Sequence, residues 1–375
     1  MPNPKVVFFC GKLLPASETF IKAQGEGLQQ FTPYYVGSRL VKGLPLPSER
    51  TLTVNQGGVV GNLEEVVFKV SGFAPKLYKQ VEHLKPALIH AHFGVCGALA
   101  LPLMRKLKLP MIVTFHGLDA TMKDDYAKRE SISTRVYLRR REALKREANL
   151  FIAVSEFIKE KLLEQGFPAD KVVAHYYGVD TEKFAPDPAV PREPVVLFVG
   201  RLAEKKGCEY LIQAMAQVQE QMSDVELVIV GDGPLRENLE ALAANALRRY
   251  QFLGLQPSEV VRSWMNRSLL LAVPSVTAST GDSEGLPTVV VEAQSMGLPV
   301  VGSIHAGIPQ AVLHGETGFL APERDWKTMA EYILNLLKDA TLWQRCSING
   351  QQRVRDNFNL HKQTRILEDI YRRVI

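Results

Sequence analysis

Two carboxylates stand eight positions apart in the stretch Ser283-Glu284-Gly285-Leu286-Pro287-Thr288-Val289-Val290-Val291-Glu292-Ala293. The preceding Leu269–Pro274 reads as a buried strand stopped by a proline, and the loop Ser275–Ser283 is small and polar. Thr288–Met296 reads as a helix with Pro287 in its first turn, where a missing N–H costs nothing. A strand–loop–helix unit of this kind aims free backbone N–H groups and a positive helix end at whatever lies above the sheet, which favours a phosphate. In that frame Glu284 sits on the entering loop and Glu292 about one and a half turns inside the helix. The stretch alone is explained equally well by a solvated loop residue and an exposed helix residue.

Other strand ends carry further chemistry. After the apolar run Val195–Val199 comes Gly200-Arg201-Leu202-Ala203-Glu204-Lys205-Lys206-Gly207. Gly200 permits close backbone approach, while Arg201 can fork two diphosphate oxygens and Lys206 adds a mobile point charge. After Glu226–Val230 comes the turn Gly231-Asp232-Gly233-Pro234, where Asp232 is expected to cap the next helix rather than to touch a ligand. One wall thus collects cations, small loops, a helix N-terminus and two carboxylates, a surface suited to a nucleotide sugar. His116 follows another strand, a position where a histidine is more often structural. Of His90 and His92, only one is expected to face a cleft, and neither has metal-ligand companions. Cys10 has no base partner, so catalysis by it is not expected.

These residues need elements to position them. The first half alternates strands (Lys5–Cys10, Pro33–Val36, Leu88–Ala91, Met111–Thr114, Leu150–Val154, Lys171–His175) with helices (Glu18–Phe31, Phe73–Leu84, Gly97–Leu107, Ser131–Ala148, Glu156–Gln165). That rhythm predicts a parallel sheet with right-handed crossovers. Asp180–Pro194 holds four prolines and reads as a linker. Strands at Val195–Val199, Glu226–Val230, Gln251–Leu253, Leu269–Val273 and Pro299–Gly302 then alternate with helices again. The fold class is α/β, with two doubly wound Rossmann-like domains over residues 1–185 and 195–358. Ligands of such sheets bind at the carboxyl ends of strands, so two domains facing each other would make a cleft.

With 375 residues, 46% apolar and 23% charged, the chain has the composition of a globular protein long enough for two cores. No apolar run is long enough to span a membrane, and the apolar start ends too soon for a secretion signal. Four scattered cysteines suggest neither disulfides nor zinc, and fit a reducing cytoplasm. The basic excess is local: residues 1–190 hold 26 Lys and Arg against 19 Asp and Glu, whereas 191–375 hold 19 against 21. It concentrates in Lys123–Arg146, with nine basic residues. Such a run is either a solvated helix face or a contact for an anionic membrane surface. Nucleic acid is disfavoured, because no binding motif or stacking pattern accompanies the charge.

The elements G-R-L-x(3)-K-G, G-D-G-P, S-E-G-L-P-T-V-V-V-E-A, G-L-P-V-V-G-S and G-E-T-G-F-L resemble the retaining glycosyltransferases of family 4, which have the GT-B fold. The agreement runs over most of residues 195–322. The first half is similar more loosely, through Pro15–Ile21, His90–Gly94, Thr114–Gly117 and Ala153–Ile158, and most resembles bacterial enzymes of exopolysaccharide and colanic-acid-type assembly. The resemblance implies that Arg201 and Lys206 bind the donor diphosphate, that Glu284 lies by the transferred sugar and that Glu292 accepts from the ribose hydroxyls. It also implies that the backbone from Gly285 through Leu286 and Pro287 to Thr288 cradles phosphates, with Gly200 and Gly231 beside them. Base recognition is expected near Phe252 and Leu253. His116 would face the sugar from the first domain, and Gly11, Ser17, Glu18 and Thr19 occupy the acceptor side, although helix capping by Ser17 explains that segment nearly as well. The tail, residues 359–375, is expected to return to the first domain.

The reaction implied by the resemblance is retaining transfer from a nucleoside-diphosphate sugar to a saccharide or lipid-linked saccharide, with no cofactor and no metal. No Asp-x-Asp occurs in the chain. Four alternatives stand beside it. A sugar-nucleotide epimerase of the same fold would need no acceptor, and a small-molecule glycosyltransferase would differ only in its acceptor. An NAD-linked enzyme lacks its G-x-G-x-x-G after a strand. A non-catalytic membrane-surface module would need only the basic helix.

Overall fold

Runs of β-branched and aromatic residues separated by helices give two parallel sheets, one in each of two units. The computed structural model describes every residue except Met1 and Ala16. The units are Met1–Gly178 with Leu360–Ile375, and Val179–Asn359.

The first unit contains β1 (Lys5–Leu13), α1 (Thr19–Glu26), β2 (Thr32–Leu40), β3 (Thr51–Asn55), α2 (Gly58–Ser71) and α3 (Pro75–Leu84). There follow β4 (Leu88–His92), α4 (Gly94–Leu107), β5 (Met111–Phe115), α5 (Leu118–Thr121), α6 (Asp124–Glu130) and α7 (Ile132–Glu147). The series closes with β6 (Leu150–Ala153), α8 (Glu156–Glu164) and β7 (Val172–Ala174). The sheet order is β3-β2-β1-β4-β5-β6-β7, and every neighbouring pair is parallel. Every residue of β4 and β5 is buried, as required of strands covered on both faces. α7 starts at a capping box, in which Ser131 and Thr134 each satisfy the other's backbone N–H.

Here β3 and α2 are elements that the sequence pattern does not announce, and β1 runs three residues further than expected. Gly11 is therefore inside a strand rather than on a loop. α1 begins at Thr19 without a side-chain cap, so Ser17, which is exposed, does not cap it. Ala16, within the expected acceptor-side stretch, lies outside the described residues.

The second unit contains β8 (Val195–Val199), α9 (Cys208–Gln221), β9 (Glu226–Val230), α10 (Arg236–Ala246), β10 (Tyr250–Gly254) and α11 (Ser258–Arg267). Next come β11 (Leu270–Val273), α12 (Thr288–Ser295), β12 (Val300–Ser303), α13 (Ile308–Ala311) and β13 (Gly318–Ala321). The helices α14 (Trp326–Lys338) and α15 (Ala340–Asn357) complete it. The parallel order is β10-β9-β8-β11-β12-β13, so the winding reverses between β8 and β11. A core of Val196, Phe198, Leu211, Met215, Ile229 and Ile333 packs helices against one face of this sheet. The proline-rich Asp180–Pro194 is part of this unit and is strapped to it. Arg192 donates to the carbonyls of Met265, Ser268 and Met296 at 2.7–3.0 Å.

The last helix, α16 (Leu360–Val374), belongs to the first unit. Its buried Tyr371 hydroxyl meets His90 Nδ1 at 2.6 Å, and Glu368 accepts from the backbone N–H groups of Gln29 and Gln30, each at 2.6 Å.

Candidate active site

The two loops that leave the reversal point of the second sheet carry the chemistry, because there the flanking crossovers diverge and open a crevice. From β8 comes Arg201 to Lys206; from β11 comes the loop that ends at Glu284. Gly207 makes their approach possible. Its φ is +60°, and a Cβ there would stand 1.9 Å from the Pro274 carbonyl oxygen. Gly231, at φ +139°, has the same relation to the Gly200 carbonyl.

Lys206 Nζ lies 2.7 Å from Glu284 Oε1, and Ser275 Oγ donates to the same oxygen at 3.4 Å. Glu284 is only 6% exposed, which removes the reading of a solvated loop residue. Burial alone would raise its pKa; Lys206 first and Lys205 second hold it down at about 2. Lys205 pairs with Asp282 at 2.9 Å. Burial disfavours the Lys205 ammonium, yet Glu284 and Asp282 keep its pKa above the ordinary value. Asp282 goes the opposite way from Glu284: burial raises its pKa despite Lys205. Arg201 stands exposed on the same loop.

A second layer fixes the Glu284 loop. The Glu284 N–H donates to His305 Nε2 at 3.2 Å, while His305 Nδ1 is 2.7 Å from Glu323 Oε1. That arrangement requires a neutral ring protonated on Nδ1. Glu323 also accepts from Thr277 N–H and Oγ1, and Glu204 accepts from Ser279 N–H and Oγ. Sequence spacing singles out none of Lys205, Asp282, His305, Glu323 or Glu204. It assigns only the second lysine of Glu204-Lys205-Lys206-Gly207, although the doublet itself is visible there.

Gly285, Leu286 and Pro287 are buried and lead into α12, which begins at Thr288 with no side-chain cap. Val290 N–H donates to the Pro287 carbonyl at 3.1 Å, which leaves the N–H groups of Thr288 and Val289 to meet an anion. Glu292 is partly exposed on α12, and burial pushes its pKa up to about 7 against the pull of Lys183. Asp232 does not cap α10, which starts at Arg236. Its carboxylate instead accepts from the Gly233 N–H and pairs with Arg236. Phe252 and Leu253 sit half-buried on the edge strand β10, two strands or about 10 Å from β8.

In the first unit, His116 is half-buried among aromatic rings. It stacks on Tyr177 with centroids 5.7 Å apart and on His92 at 5.5 Å, and its Nδ1 is 3.1 Å from the Tyr177 hydroxyl. Burial, then His90, holds its pKa well below the ordinary range. Asp119 ties two strand ends together, accepting from the N–H groups of His116, Gly117 and Gly94 at 2.7–3.1 Å. His90 and His92 are both fully buried, with rings 4.3 Å apart. Residues two apart on a strand share a face, so the expectation that only one could face a cleft fails on geometry. Glu18 is half-buried with its pKa raised to about 7 by burial, against Lys12. Gly11 N–H donates to Cys96 Sγ, and all four cysteines are buried thiols. Thr19 is exposed at the start of α1.

The basic run Lys123–Arg146 is largely engaged within the first unit. Arg141 forks Asp124, Lys128 pairs with Asp125, Lys145 binds Glu142 and the Gln165 carbonyl, and Arg140 holds the Ala98 and Val70 carbonyls. Among the described residues, no helix is long and apolar enough to cross a membrane, and no cluster of His, Cys, Asp and Glu could hold a metal ion.

Residues 179–353 match the family model described as glycosyl transferases group 1, and residues 43–183 that of glycosyltransferase family 4. The amylovoran biosynthesis glycosyltransferase AmsK of Erwinia amylovora is 31% identical over 290 residues, covering 76% of this chain and 69% of that protein. The putative colanic acid biosynthesis glycosyltransferase WcaL of Escherichia coli (strain K12) is 32% identical over 253 residues, covering 65% and 59%. The chain thus spans from under two thirds to just over two thirds of these relatives' length. Sucrose-phosphate synthase from Thermosynechococcus elongatus superposes with a TM-score of 0.79 at 22% identity, covering 99% of both chains. HepE of Anabaena, solved in complex with UDP and glucose, gives 0.77 at 22% identity, covering 98% and 99%.

Proposed function

The chain belongs to the group 1 and family 4 glycosyltransferases, and from this we propose that it moves a sugar from a nucleoside diphosphate to a saccharide or lipid-linked saccharide of a bacterial exopolysaccharide. Arg201 and Lys206 meet the diphosphate charge together with the N-terminus of α12, a clamp that acts most strongly as the leaving group gains charge. Glu284 attends hydroxyls of the transferred sugar, and Glu292 accepts from the ribose. The backbone of Gly285 to Thr288 lines the phosphates, and the strand ends near Phe252 and Leu253 lie by the base. His116 is the first domain's substrate-contacting residue, with Gly11, Ser17, Glu18 and Thr19 on the acceptor side. Transfer retains anomeric configuration and uses neither metal nor resident cofactor. The enzyme works at the cytoplasmic face of a membrane, as a peripheral protein.

One observation carries this reading: the Lys206–Glu284 pair buried at the reversal point, ahead of an uncapped helix. The two carboxylates have different settings: Lys206 holds Glu284 ionised, at about 2, whereas burial pushes Glu292 up to about 7. The test is a thermal-shift screen of nucleotide sugars, followed by mass and NMR analysis of the product from the best donor. A product glycoside with the donor's anomeric configuration is expected; donor turnover to an epimer without acceptor would point to an epimerase instead.

A further inference from the structure

α2 turns the wrong residues outward for a helix in water. Gly61, Glu65 and Phe68 are its buried positions, whereas Val59 is 86% exposed, Leu63 64%, Val66 44% and Val70 45%. At about 100° per residue these four fall within an arc of about 60° on the side opposite the buried face. Val60 and Val67 widen the band toward α3, where Phe73 is 66% exposed. Between the two helices and the end of β3 lies an apolar groove of about 510 Å³, lined by Val60, Leu63, Val67, Phe73 and Leu77 among others. So continuous an apolar surface on a charged protein marks an interaction site.

The margins of the band carry exposed cations beside one partly exposed carboxylate, Glu64. Lys76, with a side chain 89% exposed, reaches Glu64, and Lys69 pairs with the buried Glu65. At the other end, Arg139 and Arg140 of α7 reach the Val70 carbonyl at 3.4 and 3.0 Å. An apolar stripe with lysine and arginine at its margins is the pattern of a helix lying in a membrane interface. Two copies packed stripe to stripe would bring these like charges together.

We propose that α2 docks the protein on an anionic phospholipid bilayer, its valine and leucine band entering the interface while Lys76 and Arg139 meet lipid headgroups. Arg139, which is exposed, is the part of the basic run that contributes; Arg140 and most of the remainder are tied up in internal contacts. The groove then receives an acyl chain from the same leaflet. Because β3 is parallel to the rest of its sheet, Gln56 and Gly57 at the mouth of the groove lie at the edge that also bears the loop of His116. Docking is independent of how the donor is bound.

The experiment is flotation of the purified full chain with vesicles of phosphatidylcholine, with and without phosphatidylglycerol. The wild type is expected to float with the anionic vesicles and not with the neutral ones. Val66→Asp with Val70→Asp should cut the bound fraction by about tenfold or more, as should Lys76→Glu with Arg139→Glu, in proportion to lost apolar burial and charge. Unfolding midpoint and nucleotide binding serve as controls and should not change. A wild type that stays at the bottom of the gradient, or an aspartate variant that floats like it, overturns the proposal. So does a wild-type dimer in analytical ultracentrifugation that the aspartate variant turns into a monomer, which would give the band to a second copy.

Discussion

Replacing Lys206 by alanine removes the ammonium 2.7 Å from a carboxylate that is almost entirely buried. At an effective dielectric near 20, charges at that separation attract by about 6 kcal/mol, most of which offsets the desolvation of both groups. Removing one partner leaves the other group's desolvation uncompensated, typically a loss of about 3–5 kcal/mol. Lys205 remains as a second source of positive potential on Glu284, so the expected loss is near 3 kcal/mol, with the Glu284 pKa rising from about 2. Transfer should fall by about 10²–10³ in kcat, the range for removing one preorganised charge-stabilising group. Denaturant unfolding and initial transfer rates read the two effects separately. The double variant Lys206→Met with Glu284→Gln tests whether they are one effect: it should recover most of the stability and none of the activity. An alanine variant within about 0.5 kcal/mol of wild type and fully active would refute the reasoning.

The same geometry carries three other expected outcomes. Glu292 must be ionised to accept from two ribose hydroxyls, and its pKa is pushed up to about 7, so nucleotide affinity by calorimetry should drop about tenfold from pH 8 to pH 6. Glu292→Gln should bind weakly and without that pH dependence. His175 is held near 4 against an ordinary 6.5, so the folded state keeps a neutral ring. Stability is then complete above pH 6.5 and is lost as pH falls toward 4, by about 2 kcal/mol at pH 5, an effect that His175→Phe should flatten in urea titrations. Tyr371→Phe leaves His90 Nδ1 without its partner on α16 and should cost about 1–3 kcal/mol, measured as a lower unfolding midpoint of the first unit.

Legibility in the sequence tracks burial. β8 and β9 have the expected bounds because a strand covered on both faces is a continuous apolar run bounded by polar or turn residues. The Glu284 loop is legible because glycine and proline punctuate it and apolar runs flank it. α2 escapes notice for a physical reason: its outward face is as apolar as its inward one, and its inward face contains Glu65, so no single stripe stands out. β3 is short and at the edge of its sheet. Asp232 has the residue type of a cap for α10, but the helix begins beyond it, and the carboxylate turns to Arg236. His305 and Glu323 cannot be found by spacing, since they support Glu284 across 21 and 39 positions of chain and meet it only through the packing of β12 and β13 beside β11.

The most direct test of the central claim is a calorimetric titration of the best-binding nucleoside diphosphate into the wild type and into Lys206→Ala. The diphosphate clamp predicts saturable one-to-one binding by the wild type, weakened by about tenfold or more in the variant, the loss of one charge-assisted contact. Equal affinities would contradict it, because the diphosphate would then be held somewhere other than the strand ends of β8 and β11.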